Sequence, residues 1–89
     1  PPGANAVNVT SNQFNPAALT VTPNTTVTWN FSGGPHNVTF EDGNGNSGDK
    51  TSGSHTRNFG TAGPFRYRCT HHSTGFGNAN EMVGTIQVN

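Results

Sequence analysis

The stretch YRCTHH, residues 67–72, gathers much of the chain's reactive chemistry. It holds the single cysteine, Cys69, followed closely by His71 and His72. Thiolate and imidazole are both good ligands for first-row metals, and a free thiol is a liability unless it is buried or bound. Two further donors lie elsewhere in the chain: His36, after Gly33-Gly34-Pro35, and the single methionine, Met82, near the C-terminus. The candidate ligand set is His36, Cys69, His72 and Met82. One sulfur anion with two imidazoles suits Cu(II) and Cu(I) alike, and a weak thioether on the axis tunes the potential. That donor set is the one used for one-electron transfer at a single copper ion. Taken one at a time, each residue has a plainer explanation. A lone cysteine in a strand is most often a small buried hydrophobe, a methionine a core residue, and a histidine after a strand a surface group. The conjunction of all four carries the inference.

The elements that must position these residues show period two rather than helical spacing. Val7 and Val9 share a face, as do Leu19 and Val21. Val27, Trp29 and Phe31 alternate with polar neighbours, and so do Val38 and Phe40, Phe65 and Tyr67, and Met82, Ile86 and Val88. Pro23-Asn24 and Gly33-Gly34-Pro35 read as turns dividing strands, and SHTRNF reads as a weaker strand. Six to eight short strands with polar turns indicate a β-sandwich. Parity places His36 with Val38 and Phe40, Cys69 with Phe65 and Tyr67, and Met82 with Ile86 and Val88. All three then point inward at strand ends, where one pole of a sandwich can bring them together. Parity also sends Asn37 toward solvent. It does not choose between His71 and His72, because the strand gives way to a turn after Cys69.

Composition limits the alternatives. A chain of 89 residues reads as one domain, 1–89, with a thin core. One cysteine excludes an internal disulfide and any site that needs several thiolates. Four acidic residues balance four basic ones, so nothing points to nucleic acid or an anionic membrane, or to a strongly steered encounter. No apolar run is long enough to span a bilayer. The opening PPGANAV reads as a mature or trimmed product. The Asn-, Thr- and Gly-rich composition suits an exported protein, periplasmic or extracellular, with a membrane tether before processing as one option. Sequons at Asn8, Asn24, Asn30 and Asn37 would be glycan acceptors in a eukaryotic secreted protein, although Asn- and Thr-rich strands also generate them by chance. EDGNGNSGDKTSG, residues 41–53, has too few apolar groups to favour ordering and reads as a mobile surface loop. Glu41, Glu81 and His55 read as solvated.

GGPHNVTF, YRCTHH and EMVGTIQV together resemble the cupredoxins, most closely the plastocyanin and pseudoazurin branch. NQFNPAALTVTPNTTVTWNF is similar to that family's N-terminal strands, so the resemblance spans nearly the whole chain. It implies a Greek-key β-sandwich of about seven to eight short strands. It also implies that Pro35-His36-Asn37 carries the first ligand, that Tyr67-Arg68-Cys69-Thr70-His71-His72 carries the thiolate and second histidine, and that Met82 is axial. The family spacing selects His72 and leaves His71 exposed. In the second shell, the resemblance implies that the Asn37 amide donates to the Cys69 sulfur and that the Asn37 side chain ties its strand to the turn at Thr70. One departure is clear: STGFGNANE, residues 73–81, is longer than the family's usual loop between histidine and methionine. Phe76 in that loop either contacts a partner or folds back over the site.

The resemblance implies a one-electron carrier acting between redox proteins, not an enzyme, and the chain reads as a monomer. Three alternatives remain open on sequence: a copper carrier, a domain of a larger multicopper enzyme, and a metal-free binding module.

Overall fold

The computed structural model describes residues 5–10, 12–78 and 80–89. Its elements are β1 (Ala6–Thr10), β2 (Gln13–Asn15), β3 (Ala18–Val21), β4 (Thr25–His36), β5 (Thr39–Phe40), β6 (Lys50–Phe59), β7 (Gly63–Arg68) and β8 (Val83–Val88). They form two four-stranded sheets, ordered β2-β1-β4-β6 and β3-β8-β7-β5. β1 lies parallel to β4 and β3 parallel to β8, while the other pairs are antiparallel. Each connection from β2 to β7 crosses between sheets, giving the sandwich that the alternation indicated.

The alternating residues meet between the sheets. Val7, Val9, Val27, Trp29, Phe40, Phe59, Tyr67, Ile86 and Val88 are buried there. Trp29 is the hub of an aromatic cluster, with edge-on contacts to Phe40 and Tyr67 at centroid separations of 5.6 and 5.4 Å. Tyr67 also fixes one small residue: it pairs with Gly84 on β8, and a Cβ there would lie 2.3 Å from its ring. Phe14 on the three-residue β2 packs edge-on against Tyr67 at 4.7 Å. So short a strand offers too little alternation for sequence to resolve.

The structure corrects the reading of Gly33-Gly34-Pro35. These residues do not divide two strands; they form an irregularity within the long β4, where pairing with β6 shifts between Ser32 and His36. Gly33 and Gly34 take φ of 68° and 129°, which side chains rarely adopt. A Cβ on Gly34 would also stand 3.0 Å from the Lys50 carbonyl oxygen. The inward-facing set changes here from odd numbers, ending at Phe31, to even numbers, beginning at His36. Bulges next to functional sites commonly re-aim a side chain in this way.

Residues 41–53 also differ from expectation. Lys50–Gly53 belong to β6, so the weak strand expected at SHTRNF is the end of a ten-residue one. Residues 41–49 staple the open seam between β5 and β6. On the β5 side, Val38 N–H donates to Ser47 Oγ and Phe40 N–H to Asn46 Oδ1, both at 2.8 Å. Ser47 N–H returns a bond to the Val38 carbonyl at 3.0 Å. On the β6 side, Arg57 reaches Asp42 Oδ2 and the Asn44 carbonyl, each at 2.9 Å, and lies over the Phe40 and Phe59 rings. The Arg57 guanidinium holds the Asp42 carboxyl below its ordinary pKa. His55 is half-buried and bonds the Gly45 carbonyl through Nε2 at 2.6 Å. Hydrogen bonds supply the ordering that apolar burial could not.

Candidate metal centre

At one pole, the end of β4, the end of β7 and the approach to β8 converge. The bulge turns His36 inward at the last position of β4, where it is buried. Cys69 follows the last residue of β7 and is fully buried. Its N–H donates to the Met82 carbonyl at 3.0 Å, extending the β7–β8 pairing by one step. His72 lies on the turn beyond, its N–H donating to the Cys69 carbonyl at 3.2 Å.

Both imidazoles turn their Nδ1 atoms toward the sulfur. Cys69 Sγ is 4.0 Å from His36 Nδ1 and 3.5 Å from His72 Nδ1, and the candidate ligand atoms of the three residues all lie within 4.8 Å of one another. With metal–nitrogen and metal–sulfur bonds of about 2.0–2.3 Å, donors sharing one ion at tetrahedral to trigonal angles stand about 3.6–3.8 Å apart. The observed separations bracket that range, so the residues fit a single ion. Burial lowers the His36 pKa, reinforced by the nearby His72 and His71. A neutral imidazole leaves Nδ1 free to bind metal.

His71 stays outside the cluster. Its Nε2 is 2.9 Å from Asp49 Oδ1, and its side chain is exposed. Met82 is buried directly before β8 rather than within it. Its main chain contacts both neighbours, through its carbonyl to Cys69 N–H and through its N–H to the His72 carbonyl at 3.3 Å.

Asn37 lies inside, against the parity expectation. It follows the last residue of β4 and precedes β5, so strand alternation does not govern it. Its Nδ2 donates to Thr70 Oγ1 at 2.8 Å and Asp49 Oδ1 at 3.0 Å. Its Oδ1 accepts from Thr70 N–H at 3.1 Å and Thr39 Oγ1 at 3.0 Å. The side chain thus joins the His36 segment to the Cys69–His72 turn. This burial also closes the Asn37 sequon to modification in the folded protein. Among the described residues, the polar atoms found on the Cys69 sulfur are the two imidazole nitrogens; the Asn37 N–H is not one of them.

The long loop bulges from a closed base. Thr74 N–H and Oγ1 both donate to Glu81 Oε1, at 2.8 and 3.0 Å, so Glu81 is not simply solvated. Glu41 is likewise engaged, accepting from Arg66 Nε at 2.9 Å. Phe76 neither projects as an exposed contact nor covers the site. It is half-buried in a depression with Ala17, Ala18, Val83 and Gly84 on the outer face of the second sheet. The mouth of the centre is lined instead by Asn12, Gly33, Gly34, Pro35, His36, His71 and His72.

Asp49 is the participant that sequence reasoning missed. Its Oδ1 takes both Asn37 Nδ2 and His71 Nε2, and those two bonds hold its carboxyl below the ordinary carboxylate pKa. An aspartate in a Gly- and Asn-rich segment, far along the chain from both partners, offers no local signal of this role.

The sequence matches the family of copper-binding proteins, plastocyanin/azurin family, over residues 3–89. A search of curated proteins finds no significant match. Among solved structures, reduced amicyanin carrying P94F is 28% identical, with TM-score 0.76, covering 98% of this chain and 83% of that one. Oxidised amicyanin carrying M98K is 24% identical, with TM-score 0.77, covering 100% and 85%. A purple cupredoxin from Nitrosopumilus maritimus is 23% identical, with TM-score 0.70, covering 94% and 98%. Family match, two-sheet fold and clustered His-Cys-His donors agree, and the chain belongs to the plastocyanin/azurin family of copper-binding proteins as a blue copper electron carrier.

Proposed function

We propose that His36, Cys69 and His72 hold one copper ion, with Met82 as the axial ligand, and that the protein passes electrons between redox proteins by docking at the His72 mouth. The observation that carries this reading is the position of the Cys69 sulfur beside the Nδ1 atoms of both His36 and His72. Copper, when bound, supplies a Cu(II)/Cu(I) one-electron couple. Cys69 presents the sulfur from a buried position that keeps water and oxidants away. His36 is buried, and the Asn37 bridge ties its segment to the opposite turn, limiting rearrangement between oxidation states. His72 is the more exposed of the two ligand histidines and lines the mouth, so a docked partner comes closest to the centre there. Met82 is tied through its main chain to the residues on both sides of it, which supports an axial role despite the long loop.

No helix among the described residues is long and apolar enough to cross a membrane. We place the protein's work in an exported setting, periplasmic or extracellular, as a monomer and without catalysis of its own. The buried, metal-covered thiol is compatible with an oxidising compartment. The test is voltammetry of the copper-loaded protein beside Met82→Leu. A reversible one-electron wave with copper retained supports a carrier of electrons rather than of metal. A higher potential in Met82→Leu supports the axial thioether; an unchanged potential contradicts it.

A further inference from the structure

Arg68, the residue before Cys69, carries an unusual burden. It points to the outer face of the second sheet, in register with Thr39 on β5 and Val83 on β8. It is half-buried, and its Nε is buried without a hydrogen-bond partner among the described residues. The ion pairs among the described residues are made by Arg57, Arg66 and His71, so no carboxylate among those residues pairs with Arg68. A guanidinium placed this way is unfavourable unless nearby groups compensate it. Two groups do so. Its Nη1 donates to the Ser73 carbonyl at 3.0 Å and lies 3.3 Å from Ser73 Oγ. The Phe76 ring centroid is 5.3 Å from the guanidinium carbon, within reach of a cation–π contact. Ser73 Oγ in turn donates to the Cys69 carbonyl at 2.6 Å.

We propose that Arg68 is a positioning residue for the metal centre, clasping Ser73 so that the turn from Cys69 to His72 is held closed from outside. The proposal rests on the copper reading above. The turn's own main-chain bonds are long: His72 N–H to the Cys69 carbonyl is 3.2 Å, and Met82 N–H to the His72 carbonyl is 3.3 Å. Both lie at or beyond the outer end of the usual N–H···O range. The bonds at Ser73 are shorter, with Arg68 Nη1 donating to its carbonyl at 3.0 Å and its Oγ donating to the Cys69 carbonyl at 2.6 Å, and they grip the residue directly after His72. Phe76 seats the guanidinium, so one side chain anchors the inserted loop and the ligand turn together. Lysine reproduces the charge but not the planar fork or the flat contact with the ring.

The experiment compares wild type with Arg68→Met, Arg68→Lys and Ser73→Ala. In the copper-free proteins, amide exchange at Thr70 to Thr74 is measured. We expect about tenfold faster exchange in Arg68→Met, partial recovery in Arg68→Lys, and an intermediate effect in Ser73→Ala. In the copper-loaded proteins, transfer of Cu(II) to a chelator is timed and the electron paramagnetic resonance spectrum recorded. Loss of an outer support around metal ligands typically weakens metal affinity about 10–100-fold. We expect at least about tenfold faster release from Arg68→Met, with an altered copper hyperfine splitting. Wild-type exchange at Thr70 to Thr74 in Arg68→Met overturns the clasp, whether or not the copper reading holds. Wild-type release and spectrum in Arg68→Met overturn its role toward the metal. If Arg68→Met does not fold, Ser73→Ala decides: unchanged exchange and release there contradict the proposal. A wild-type protein that binds no copper contradicts the copper reading, while the exchange result still judges the clasp.

Discussion

Two polar, Gly- and Asn-rich loops flank the centre, and they are built in opposite ways. Residues 41–49 are threaded into the sandwich: Asn46, Ser47, Asp42 and Asp49 all bond groups on other segments. Residues 73–81 are held at their base by Thr74 and Glu81 and by the contact of Arg68 with Phe76, while Asn78 accepts from Asn80 and Glu81 within the loop. Composition does not separate the two. What separates them is whether backbone groups on neighbouring strands lack partners. β5 has two residues, and its outer edge needs acceptors and donors that the first loop supplies. The second loop instead makes its bonds at its own base, through Thr74 and Glu81, and rests Phe76 on the outer face of the second sheet beside Ala18 and Val83.

The largest effect should come from removing the first loop's acceptors. Asn46→Ala with Ser47→Ala leaves the Phe40 and Val38 amides without these partners, and we expect a loss of about 3 kcal/mol, read by denaturant unfolding. A loss no greater than that of a surface substitution would erase the contrast between the loops. Next, Asn37→Ala should cost about 2 kcal/mol, because it strips partners from Thr70 and Thr39 together. It should also loosen the Thr70 turn in amide exchange, whereas stability equal to wild type would deny the bridge.

A smaller effect should appear with pH in the copper-free protein. The folded-state pKa of His36 is lowered, mainly by burial, so the unfolded chain binds the proton more readily. This contribution is fully present above the unfolded value of about 6.5 and is lost as pH falls below it toward the folded value. Stability should therefore decline on acidification from neutral pH, and His36→Gln should flatten that slope. A slope unchanged in His36→Gln would assign it elsewhere. The smallest effect belongs to the second loop. Asn78→Ala, or removal of Gly77 and Asn78, should change stability by under about 0.5 kcal/mol and leave the visible spectrum as it was. Bleaching by either change would show that the tip of this loop is not independent of the ligands.

Much of the centre is legible in the sequence, for local reasons. Period two places Cys69 with Tyr67 and Phe65, and the inward set changes number across Gly33-Gly34-Pro35. The same parity change could be read as a turn, since glycine and proline mark both turns and bulges; only the pairing of His36 with Lys50 identifies one strand. Asn37 shows where parity fails, because alternation applies only while a strand continues. The tie of Asp49 to Asn37 and His71, and that of Arg68 to Ser73, depend on tertiary placement. Neither has a pattern that a single sequence displays. For Phe76 the sequence leaves open a partner contact or a fold back over the site, because the seat of its ring beside Val83 and under Arg68 is set by tertiary packing.

The central claim is that one copper ion sits on the Cys69 sulfur between His36 and His72. The most direct measurement is the visible absorption spectrum of the Cu(II)-loaded protein beside that of Cys69→Ser. The account predicts an intense sulfur-to-copper charge-transfer band in the wild type, present at one equivalent of copper and absent from Cys69→Ser. A wild type with no such band, or a Cys69→Ser variant that keeps it in full, would contradict the account.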